Sequence, residues 1–281
     1  MQKKIILITM LFVLFIFSGC MEHIDLPVIA VATSTPSHEI GQGEVSINYD
    51  SLKDTIREGI EVFGNDKALY KDVVSQCLFE EEREIHTHPL SRIDGPFSFY
   101  IEKEENYHNR YGEIIRKIVD TVMPRGYSEK YKPSITEDED TATFLIYFAP
   151  KESLMGTLLS ESGAYGIYIT GNQEENIIKR GIIYVRDYEF LKEEIPSLST
   201  NSIWTIVEAV LTEEMTQAPI ACQDTSLDPT MRFYNSPKIE DYLKKPELTT
   251  RDFAIIKIAL KLPVGTEKKE WERIMDEYEG G

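Results

Sequence analysis

The stretch NSIWTIVEAVLTEEMTQ, residues 201–217, decides how the chain is read. Ile203, Ile206, Val207, Val210 and Leu211 recur at helical spacing, and the same spacing runs on through Glu214 and Gln217. Pro219 closes the helix, since proline lacks the amide proton that the next turn would need. The C-terminal end of this long helix therefore carries Glu213-Glu214-Met215-Thr216-Gln217.

Upstream, the pattern alternates between helix and strand. Leu52, Ile56, Ile60 and Phe63 give a first helix, Gly64 stops it, and Asn65-Asp66 starts a second that runs to about Leu78. Phe97 to Ile101 reads as an aromatic strand after the Asp94-Gly95-Pro96 turn. Tyr107 to Val122 reads as a helix, and Ala142 to Phe148 as a central strand. Gly166–Ile169 and Gly181–Val185 read as two more strands, separated by a mostly polar segment from Gly171 to Arg180. Downstream, a loop from Cys222 to Lys245 precedes a helix started by Thr249 and Asp252, a box-like cap. A short charged helix from Glu267 to Tyr278 ends the chain. Helices and strands in this order predict an α+β fold: a mixed sheet, the long helix, a C-terminal helix and an N-terminal helical lead-in.

The last third has a further pattern. After Glu213–Gln217 come Asp224 and Asp228, then Met231-Arg232-Phe233-Tyr234-Asn235, then Leu248-Thr249-Thr250-Arg251-Asp252 opening a helix. This series resembles the C-terminal half of metzincin-type zinc proteases, in which an H-E-x-x-H helix is followed by a methionine-containing turn and an L-T-x-x-D helix start. Met231 would occupy the turn. With the strand and helix series before it, the chain resembles the domain of unknown function 2927 family, secreted or lipoprotein domains that are themselves zincin-like. The resemblance covers roughly residues 83–275. It implies that Ile182 to Val185 is the sheet edge along which a substrate lies, that Glu213 and Gln217 stand at the two histidine positions, and that Glu214 keeps the general-base position.

Two histidines at i and i+4 can reach one Zn²⁺ from the same helix face. Here all five histidines, His23, His38, His86, His88 and His108, precede residue 109. Gln217 is a neutral amide, and without a bound ion Glu214 has no water of lowered pKa to activate. The expectation is a pseudoenzyme, with Glu214 at most a vestigial catalytic residue, no cofactor, and no metal ligand assigned. The alternative is a hydrolase with an oxygen-ligand metal site built from Glu213, Asp224 and Asp228. His86-Thr87-His88 could place two ligands on one side of a strand, or be a polar loop before Pro89 with no third ligand. No nucleophile elbow, phosphate-cradling loop or dinucleotide fingerprint is present.

Composition narrows the partners. The hydrophobic share of 42% is enough for a proper core, and the net charge of −18 opposes binding to nucleic acid or anionic head groups. At the N-terminus, Lys3 and Lys4 precede an apolar run from Ile5 to Phe17, then Ser18-Gly19-Cys20. A positive start, a short apolar core and small residues before a cut site describe a secretory signal. The cysteine that follows resembles a prokaryotic lipobox, which would be lipidated on Cys20, with palmitate among the expected acyl chains. Residues 21–43 have the composition of a flexible tether and residues 44–82 form the helical lead-in, leaving 83–275 for the zincin-like domain. Cys77 and Cys222 are then the remaining thiols and candidates for a disulfide in an oxidising exterior. The expected location is the outer face of the cell membrane, held by lipid, with an extracytoplasmic protein or peptide as partner.

Overall fold

A computed structural model describes residues 49–80, 87–101, 108–234, 239–244 and 247–278. Gly64 and Asn65 both adopt positive φ, 74° and 64°, and this reversal folds helix α1 (Tyr49–Val62) against helix α2 (Lys67–Phe79). Asp66 caps α2 by accepting a hydrogen bond from the Leu69 amide at 2.9 Å. Gly59 of α1 is a glycine for a steric reason. A Cβ there would lie 2.3 Å from Cζ of Tyr70 on the facing helix.

Strands β1 (Phe97–Ile101), β2 (Pro133–Ile135), β3 (Phe144–Ala149), β4 (Gly166–Glu174) and β5 (Ile177–Arg186) form one sheet in the order β2-β1-β3-β5-β4. The first four in that order are parallel, and β4 runs antiparallel to β5 at one edge. Phe99, Phe144, Ile146, Phe148, Ile183 and Val185 are all buried in the core. The period of two puts them on one face. Helix α3 (His108–Lys117) packs there, with Tyr111 stacked on Phe148 at 3.6 Å between ring centroids. A π-helical turn, Ile118–Val122, ends α3 ahead of Pro124. Helix α4 (Leu154–Ser162) follows β3, and α5 (Tyr188–Glu194) follows β5. The long helix α6 (Thr200–Gln217) is capped by Ser199 and buried along its C-terminal half. Helix α7 (Ile239–Lys244) lies in the long loop after α6. Helix α8 (Thr250–Lys261) packs against α1, and α9 (Lys268–Glu277) against α2. The protein is α+β, as the sequence predicts.

Three expectations need correction. Ile182–Val185 is not the sheet edge: it lies within β5, between β3 and β4. A tight hairpin throws the earlier strand outward, so chain order and sheet order diverge. The polar segment Gly171–Arg180 does not merely separate two short strands: it extends both as the arms of that hairpin, reversed by Glu175 and Asn176 at φ 51° and 64°. Lastly, Cys77 and Cys222 are both free and fully buried, so the candidate bridge is not formed. The two residues are neighbours all the same: the Gln223 amide donates to the Cys77 carbonyl at 2.7 Å, and the Cys222 thiol interacts with Cys77. Cys20, the tether and residues 44–48 of the lead-in lie outside the described residues. Among the described residues no helix is long and apolar enough to cross a membrane.

Tyr70 sits at the centre of the α1–α2–α9 junction, between Phe63 (5.3 Å) and Trp271 (6.0 Å). Its hydroxyl is buried without a hydrogen-bond partner, and leaving such a group unsatisfied costs about 1–3 kcal/mol. Tyr70→Phe should therefore raise the unfolding free energy by about 1 kcal/mol in urea titration. A destabilised variant would mean that the hydroxyl has a partner in solution.

Candidate functional site

The C-terminal end of α6 runs beneath the start of the edge strand. Gly166, the first residue of β4, makes room for it. A Cβ at this position would lie 2.8 Å from both Cγ and Oε1 of Glu214, and 2.7 Å from Val210 Cγ1. The requirement here is space, since no backbone strain at Gly166 demands a glycine.

Beyond Gln217 the chain makes one 3₁₀ turn (Ala218–Ile220), and Ala221 takes a left-handed conformation at φ 44°. The Cys222 amide then donates to the Gln217 carbonyl at 3.2 Å, which folds residues 222–224 back against the helix end. This places Asp224 within reach of Gln217, whose Nε2 donates to Asp224 Oδ1 at 2.8 Å. On the same side, the Tyr168 hydroxyl donates to the Cys222 carbonyl at 3.0 Å and accepts from Gln223 Nε2 at 3.1 Å.

The loop after Asp228 completes the cluster. Arg232 Nη2 donates to Glu213 Oε2 at 2.5 Å, and both side chains are buried. The guanidinium carbon sits 3.8 Å from the Tyr242 ring centroid, so the cation has an aromatic face as well as a carboxylate. Burial works against the charge on Arg232, but Glu213 and Tyr242 outweigh it and hold the proton on. Burial also pushes the Glu213 carboxyl up, against the pull of Arg232. Arginine does not shed its proton inside proteins, so Glu213 serves as its counter-charge.

Glu214 is placed differently. Among the described residues its carboxyl has no hydrogen-bond partner. Burial, then the charges on Glu213 and Asp224, push it well above the ordinary carboxylate range. Arg232 thus separates the two adjacent glutamates: it bonds Glu213 directly, while burial and the neighbouring carboxylates disfavour the charged form of Glu214.

The structure brings Glu213, Glu214, Gln217 and Asp224 together and gives Asp228 a different set of partners. Asp228 accepts from the Thr230 amide (2.9 Å) and hydroxyl (2.6 Å) and pairs with Arg251, on the side facing α1. Burial pushes its carboxyl up, but these partners outweigh that and lower it. The oxygen-ligand set of Glu213, Asp224 and Asp228 therefore does not assemble. Met231 is buried in the core, with its amide donating to the Asp228 carbonyl at 3.2 Å. His88 is hydrogen-bonded next to Pro89, while His86 lies outside the described residues. Among the described residues no three His, Cys, Asp or Glu side chains converge to hold a metal ion. Glu213 and Gln217, where the resemblance would put zinc ligands, do not fit zinc: Glu213 is engaged by Arg232, and Gln217 presents an amide already donating to Asp224.

Sequence reasoning passed over Gly166, Tyr168, Arg232 and Tyr242. Arg232 alone left a signal, as a cation beside Met231 in an otherwise apolar and aromatic turn. No protein-family model, curated protein or solved structure matches this chain.

The upward shift at Glu214 has a measurable consequence. As pH rises above the usual glutamate range, near 4.5, the folded chain holds this proton more tightly than the unfolded chain does. Stability contributed by that group is therefore present at low pH and is lost as pH rises, by up to about 1.4 kcal/mol per pH unit for one proton. Glu214→Gln mimics the protonated acid, so it should be more stable than the parent at pH 8 and match it near pH 5. Thermal melts at these two values check this. A variant that melts lower at pH 8 would show Glu214 ionised and paired.

Proposed function

We propose that this chain is an exported lipoprotein, anchored through Cys20 on the outer face of the membrane. Its zincin-like domain binds an extended, basic peptide segment of an extracytoplasmic protein and does not cleave it. The observation that carries the binding half is the free edge of β4. The Arg186 amide donates to the Tyr165 carbonyl, and the Gly181 amide donates away from β4 to Thr143. These bonds fix the phase of the antiparallel ladder, so the backbone groups of Gly166, Tyr168 and Thr170 point outward. Among the described residues no strand pairs with them. An added strand would gain main-chain hydrogen bonds there. A net charge of −18 favours a basic one.

The non-catalytic half is supported by Glu213 and Gln217, which are both engaged inside the chain. The lipoprotein half is supported by the lysines, apolar run and Ser18-Gly19-Cys20 of the N-terminus.

Two experiments test these halves separately. Thr170→Pro removes one outward amide without touching a rung to β5. It should weaken binding of a lysine-rich extended peptide by tenfold or more, with a melting temperature close to the parent's. Equal binding by both proteins would reject capture at this edge. For the anchor, Cys20→Ser should abolish incorporation of labelled palmitate and leave the protein uncleaved. Continued labelling would reject lipidation at Cys20.

A further inference from the structure

The acid cluster at the end of α6 already contains a cation, and that cation belongs to the chain. Arg232 enters from the turn after Asp228, and its position does not depend on its side chain alone. Its backbone amide donates to both carboxylate oxygens of Asp252 at 3.0 Å. The guanidinium then has Glu213 on one side at 2.5 Å and the Tyr242 ring on another at 3.8 Å, with almost no solvent exposure. Its Nε is buried without a partner. Glu213 is the residue that stands where a zincin would carry its first zinc ligand. The guanidinium therefore takes up the charge that a metal ion would otherwise neutralise. A divalent ion entering the cluster would face a fixed, desolvated positive charge and would also have to release Glu213 from it.

We infer that Arg232 is a tethered counter-ion standing in for a metal ion at the end of α6, and that it bars divalent cations from this cluster independently of the missing histidines. The inference rests on the zincin-like reading of the chain. It goes beyond that reading by naming the residue that closes the site. It also predicts that supplying imidazoles is not enough to reopen it.

The test compares the full mature chain in detergent with Glu213→His/Gln217→His and with Glu213→His/Gln217→His/Arg232→Gln. Asp224, already 2.8 Å from the Gln217 side chain, supplies a third ligand. Zn²⁺ affinity is read by competition with a chromogenic chelator, and folding by circular dichroism. The expected result is one zinc per chain in the triple variant, at least a hundredfold tighter than in the double variant, and no stoichiometric zinc in the parent. Equal affinity in the double and triple variants would overturn the role of Arg232 while leaving the zincin-like geometry standing. A folded triple variant that binds no zinc would overturn both. Should the double variant fail to fold, Glu213→His/Gln217→His/Arg232→Lys, which keeps the positive charge, replaces it as the reference. If that protein bound zinc as tightly as the Arg232→Gln triple variant, the inference would fail.

Discussion

The Asp252 carboxylate organises the functional end of this protein. It is fully buried and accepts from the Arg232 amide with both oxygens, from the Phe233 amide at 3.0 Å, and from the Thr249 amide and hydroxyl, each at 2.7 Å. In turn the Thr249 hydroxyl accepts from the Asp252 amide, which closes a capping box at the start of α8. One side chain thus starts a helix and fixes the turn that faces it. Burial pushes its carboxyl up, and the amides and the hydroxyl oppose that shift. Hydrogen bonds to a charged acceptor contribute about 1.5–3 kcal/mol each when taken singly. Without them the turn loses its register, and Arg232 its aim.

From that anchor the electrostatics of the site follow in order. The turn delivers Arg232 to Glu213, and the pair is buried. A buried ion pair is not by itself a strong source of stability, but losing one member strands the other charge at a cost of about 3–5 kcal/mol. With Arg232 bonded to Glu213, burial and the charges on Glu213 and Asp224 outweigh its pull on Glu214 and raise that carboxyl. Asp224 accepts from Gln217 instead.

Most of the architecture was legible because local signals matched the tertiary environment. The Thr249–Asp252 box, the Asp66 cap after the Gly64 reversal, and the aromatic strand Phe97–Ile101 all form where their residues predict. The failures share a cause: each involves polar residues whose role is set by distant neighbours. The hairpin turn is Glu175-Asn176 rather than Asn-Gly, so it lacks the usual signature, and its exposed arms are polar because they lie at the sheet edge. Strand β2 is only three residues long and begins with a proline, tolerable because it too is an edge strand. Glu213, Glu214 and Gln217 could be placed on one helix end from spacing alone. Their partners could not, because Arg232 and Tyr242 come from a segment with little periodicity.

The close approach at Gly166 joins the acid cluster to the edge strand β4. Because a Cβ there would meet both Val210 and Glu214, the end of α6 and the first residue of β4 form one packed unit. A side chain at this position would push the strand away from the helix. It would also disturb the ladder at Arg186, whose amide bonds the neighbouring Tyr165 and whose side chain pairs with Glu194 and donates to the Leu159 carbonyl. The outward backbone groups at the start of β4 are thus supported from one face by the end of α6, and the strand's register against β5 is set by the rungs on its inner side.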